Sequence, residues 1–140
     1  MAIVQNCTDI SYRYHRFSDL KKWILIVVEL EDRIPGEITI VYCSDQYLKS
    51  VNLQYLNRDY FTDVITFDYS NKNIISGDIL ISIDRVRENA EKFSTGFKNE
   101  LNRVILHGVL HLIGYRDSTR QEVEKMREKE DFYLNLRNYN

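Results

Sequence analysis

One proline, five glycines and two cysteines in 140 residues rule out several kinds of architecture before any motif is considered. With Pro35 as the lone proline, and with no low-complexity tract or repeating period, nothing marks a linker or a solenoid. Cys7 and Cys43 lie far apart in strand-like segments and form no CxxC pair. A disulfide framework and a thiolate zinc knuckle are therefore not expected, and both read as small core residues. The longest apolar run, Trp23 to Val28, falls far short of the roughly 20 residues of a membrane span. The start MAIVQNCTDI lacks the basic, apolar and small-residue segments of a secretory signal, so a cytoplasmic location is expected. Charge of either sign is not in excess: the net value of −2 argues against a protein that coats nucleic acid non-specifically, and no DNA partner is expected. Local basic clefts remain open at Arg13 to Lys22, at Arg85 to Lys98 and at Arg103.

What is present suits one compact domain over residues 1–140, since 44% of the chain is hydrophobic and 29% is charged, in alternating segments. IVQNC and SYRYH are strand candidates. Ser18 reads as the cap of a helix whose Leu20, Ile24, Val27 and Val28 recur at helical spacing, and which ends near Pro35-Gly36. EITIVYC alternates as a strand does, and Asp45 opens a second helix through about Leu56. A polar and aromatic loop from Asn57 to Phe61 leads to the strand DVITFDY. A turn at SNKN and Gly77 follows, then the strand DILISID and the helix RVRENAEKF. The last third is helical: NELNRVILHGVLHLI is nearly continuous apolar sequence, and a charged helix begins at a capping box, Ser118 with Gln121 or Thr119 with Glu122. The expected fold is α+β, a small mixed sheet of about four strands near 2–7, 37–43, 63–68 and 78–83, packed with helices that include the histidine-bearing one.

Two of the chain's three histidines, His107 and His111, stand at i and i+4 in HGVLH. On a helix they share one face about 6 Å apart. Two neutral imidazoles so placed can reach one first-row ion at about 2.0–2.1 Å, and zinc is the usual occupant where no thiolate is present. The competing reading is a pair of core histidines satisfied by backbone or carboxylates. Gly114, just past the last apolar residue, can end the helix and turn Tyr115, Arg116 and Asp117 back toward the imidazoles. Asp117 then supplies the third corner of a three-ligand site with one open position, as in catalytic zinc centres; its alternative role is to cap the helix that starts at Ser118. In HExxH metalloproteases a glutamate general base follows the first histidine, but here that position is Gly108. Hydrolysis would then rely on the ion to acidify water, which suits a phosphodiester better than a peptide.

HGVLHLIGYRD resembles the HGxLHLxGYDH signature of the YbeY family of metal-dependent, single-strand-specific endoribonucleases that mature ribosomal RNA. Asn52 and TDVITF at 62–67 resemble the family's N…TDVLSF segment, and GDILIS at 77–82 its GDIxIS strand. The resemblance implies metal ligation by His107 and His111, with Asp117 in the place of the family's third histidine and Arg116 in that of the preceding aspartate. An anionic third ligand lowers the net charge of the centre and should weaken its acidification of water. The family usually carries a cleft arginine six residues before the threonine of TDVLSF; Leu56 stands there, and Arg58 is the candidate substitute for phosphate contact. Arg103, one turn before His107, is a second candidate. The expectation is a zinc-dependent endoribonuclease acting on single-stranded RNA in ribosomal RNA maturation and ribosome quality control. The alternative is a non-catalytic RNA- or ribosome-binding protein with a structural metal.

Overall fold

The computed structural model describes residues 2–137. In chain order the elements are β1 (Ala2–Cys7), α1 (Phe17–Leu30), β2 (Ile34–Cys43), α2 (Asp45–Leu56), β3 (Val64–Asp68), β4 (Ile74–Ser82), α3 (Ile83–Lys92), α4 (Phe97–Ile113) and α5 (Arg120–Leu136). The four strands form one sheet in the order β1-β2-β4-β3. β1 and β4 run parallel to β2, and β3 runs antiparallel to β4, so the expected α+β class with a mixed four-stranded sheet is what the chain adopts.

Alternation along the strands sorts side chains to two sides. Ile38, Ile40 and Tyr42 of β2 and Ile75, Ile79 and Ile81 of β4 are buried in the principal core with α1, α4 and α5. On the opposite face Cys43, Ile65 and Leu80 pack with Leu48 and Val51 of α2. Helix α4 is the central helix: from Val104 to Ile113 every residue is buried except His107 and His111. It lies close on the sheet because Gly108 has no side chain. A Cβ there would come within 2.6 Å of Ile79 on β4.

Several boundaries differ from the sequence expectation. SYRYH forms no strand; the segment is anchored instead by Tyr14, whose hydroxyl donates to Asn102 at 2.5 Å. Ser18 caps nothing, since α1 begins at Phe17 with Arg16 in the left-handed N-cap position and no side-chain cap. That helix stops at Leu30, well before Pro35. Pro35 and Gly36 belong to β2, where the register with β4 shifts between Pro35 and Ile38, and such a bulge tolerates a residue with no N–H to give. Gly77 sits inside β4 rather than in the turn before it. The capping box of α5 is the Thr119–Glu122 pair. No helix among the described residues is long and apolar enough to cross a membrane.

Candidate metal centre and cleft

The two histidines stand on the only stripe of α4 that reaches solvent between Val104 and Ile113. Their rings are nearly perpendicular, and the Nε2 atoms face one another at 3.0 Å. Gly114 closes the helix with φ 121°, a backbone setting that side chains strain to adopt, and its N–H bonds the carbonyls of Leu110 and His111. The chain therefore doubles back as expected, and Asp117 Oδ2 arrives 3.2 Å from His107 Nε2 and 3.4 Å from His111 Nε2.

The other nitrogen of each ring fixes what these atoms are. His111 Nδ1 lies 3.0 Å from the carbonyl of Tyr115, which can only accept, so Nδ1 carries the proton and Nε2 presents a lone pair. His107 Nδ1 lies 2.6 Å from Oε2 of the buried Glu130, and the same reasoning leaves a lone pair on the Nε2 of the neutral ring. When both rings are neutral, two imidazole lone pairs and a carboxylate thus converge. Such a donor set calls for a cation. Ligands at about 2.0–2.1 Å in a tetrahedron would be about 3.3–3.4 Å apart, and the spacings of 3.0, 3.2 and 3.4 Å are compatible with three such donors to one ion. His107, His111 and Asp117 form the group among the described residues able to hold a metal ion.

Without an ion the histidines diverge. Burial disfavours protonation of His107, but the carboxylates of Glu130, Asp117 and Asp63 outweigh it and raise its pKa. Burial and the neighbouring His107 charge push His111 down. A second layer holds these groups. Glu130 accepts from Arg103 at 2.8 Å, and Arg103 also donates to Asp131 at 2.7 Å. The Tyr115 hydroxyl donates to Glu31 at 2.5 Å, and Glu31 also binds Tyr133 and Lys129, which ties the turn that carries Tyr115 and Asp117 to α5.

Two cavities meet at this centre and share Asp63, Val64, His107 and Asp117. One, of about 290 Å3, is walled by Glu100, Arg103, Met126 and Glu130. Burial raises the pKa of both Asp63 and Glu100, with the mutual repulsion of the two carboxylates adding to the rise at Glu100. The other, of about 350 Å3, is walled by Leu56, Arg58, Tyr60 and Thr66. The two candidate arginines therefore differ in kind. Arg103 is held by two carboxylates, whereas Arg58 makes a 3.4 Å bond to the Tyr60 hydroxyl and has no carboxylate partner among the described residues. Sequence reasoning missed Glu130. Its signal was a carboxylate on the same stripe of α5 as the buried Met126, Tyr133 and Leu134.

Comparison with known proteins adds a further finding. Residues 3–138 match the family model described as endoribonuclease YbeY. Curated proteins of that name are similar over most of their length. The one from Karelsulcia muelleri is 47% identical over 124 residues, covering 87% of this chain and 88% of the relative. The one from Cytophaga hutchinsonii is 44% identical over 132 residues, covering 94% and 92%. The solution structure of TM1509 from Thermotoga maritima superposes with a TM-score of 0.64 at 26% identity, covering 94% of this chain and 86% of that one.

Proposed function

The chain belongs to the YbeY family of endoribonucleases, and from that premise we propose that it hydrolyses phosphodiester bonds of single-stranded RNA in ribosomal RNA maturation and ribosome quality control, with zinc held by His107, His111 and Asp117. The observation that carries the reading is the convergence of three lone-pair donors at the junction of two cavities. When bound there, zinc supplies Lewis-acid polarisation of a phosphoryl oxygen and acidifies water toward neutral pH.

The chain's own residues do the rest. Glu130 and the Tyr115 carbonyl fix both imidazole tautomers and ring planes, so that no reorientation is needed as the site fills. Gly108 leaves the helix without the glutamate base of peptide-cleaving enzymes, and its contact with Ile79 leaves no room for one. Arg58, with no carboxylate partner among the described residues, holds an RNA phosphate in this reading; Arg103 faces the other cavity with its charge offset by Glu130 and Asp131. Three protein donors among the described residues favour a catalytic over a purely structural ion. The proposed setting is the cytoplasm, where the ribosomal substrate is found.

The test is cleavage of single-stranded RNA by zinc-loaded protein, with metal content measured in parallel. His107→Ala and His111→Ala are expected to lose the metal and at least a hundredfold in kcat/KM. Undiminished cutting by both variants overturns the reading.

A further inference from the structure

The cavity on the Arg58 side has a construction of its own. Its floor is the donor set of His107, His111 and Asp117. One wall is β3, the strand at the edge of the sheet, paired only with β4. Ser82 N–H bonds the Asp63 carbonyl, and Tyr69 N–H bonds the Ser76 carbonyl, which sets the alternation of the antiparallel ladder. The intervening Val64 and Thr66 therefore direct their backbone N–H and C=O groups to the free edge, and both residues line the cavity.

The opposite wall is the loop after α2. Tyr60 is half exposed there, next to the exposed Leu56 and Arg58. This loop is held from beneath. The buried Asn52 donates from Nδ2 to the Tyr60 carbonyl at 3.1 Å, and its own carbonyl accepts from the N–H groups of Asn57 and Arg58. An aromatic ring is thus fixed in an exposed position that burial alone would not favour. It faces a groove whose other wall presents the outward-facing backbone of Val64, whose carbonyl accepts from Thr62 Oγ1 at 3.5 Å and whose N–H bonds the Asp63 carboxylate, and then that of Thr66. Arg58 is the only lysine or arginine among the cavity's lining residues, so phosphate contacts alone give little grip on a strand.

We infer that Tyr60, with Leu56, is a nucleobase-binding subsite: a base of the single-stranded substrate next to the reacting phosphate stacks on the Tyr60 ring, with its edge toward the outer backbone of Thr66. This rests on the reading of the chain as an endoribonuclease and adds to it the part of the nucleotide that is gripped. A stacked base must be unpaired, so the subsite also selects single strands over duplex. Aromatic stacking accepts any base face, and preference among bases comes from the Thr66 edge.

The experiment measures kcat and KM of zinc-loaded protein on single-stranded RNA oligonucleotides, intact or with one abasic nucleotide placed at each position around the cut. Tyr60→Ala is expected to raise KM about 5- to 150-fold with unchanged metal content, and Tyr60→Phe to keep near wild-type KM. One abasic position should weaken wild type by a similar factor and leave Tyr60→Ala no weaker than it already is. Equal KM for Tyr60→Ala and wild type, or a wild type indifferent to every abasic position, overturns the subsite while leaving the nuclease reading intact. Failure of wild type to cut any RNA overturns both.

Discussion

In the proposed ligand set Asp117 places a negative charge where a third imidazole would be neutral, and the sign of its effect is fixed. With Asp117→His the ion keeps more of its positive charge and acidifies water more strongly, so the acid limb of the pH–rate profile is expected to move to lower pH. Glu130→Gln keeps the shape but removes the charge that orients His107; metal affinity should fall about 10–100-fold, read by competition with a chromogenic chelator. The histidines also govern stability when no metal is bound. His107 has a raised pKa, so above about 6.5 the folded protein binds more protons than the unfolded chain and stability falls as pH rises. His111 has a lowered pKa and contributes the opposite slope below that value. Denaturant titrations of metal-free protein should therefore show stability lost from pH 6.5 upward, and added zinc should remove the loss. His107, His111 and Asp117 were legible in the sequence because one helix and one glycine turn bring them together. Glu130 was not, because only the packing of α5 on α4 brings it there.

The elements show the same division between local and long-range information. The capping box at Thr119 and the helical stripe of α4 depend on neighbours along the chain, and both were legible. The end of α1 and the start of β2 were misread because Pro35 is a helix terminator by local rules, while the bulge that admits it exists only once β2 pairs with β4. The contact between α4 and β4 is likewise invisible in one dimension. Gly108→Ala should destabilise the protein by about 1–3 kcal/mol in equilibrium unfolding, because the new methyl group meets Ile79. In an Ile79→Ala background, itself destabilised, the glycine substitution should cost less, and a coupling energy of zero in the double-mutant cycle would show that helix and strand do not meet as described.

For the molecule as a whole, the donor set links folding to the ion. On the proposed reading, zinc held by His107, His111 and Asp117 binds the folded chain and not the unfolded one, and so adds to its stability. A free zinc concentration a hundredfold above Kd should stabilise the fold by about 2.7 kcal/mol, or roughly 5–10 °C in Tm. Differential scanning fluorimetry with and without a chelator measures this directly. The α+β class, the strand number and the central histidine helix could all be read from hydrophobic periodicity. The order β1-β2-β4-β3, which leaves β3 with a free edge beside the histidines, could not, since it depends on which strands meet.

The tie between Glu130 and His107 also has a meaning in time. During synthesis the residues from His107 to Asp117 leave the ribosome before α5 does, and until that helix docks nothing sets the His107 ring or its tautomer. A growing chain therefore carries His107, His111 and Asp117 without the contact that orients the first of them, so completion of the cluster waits on the docking of the last helix.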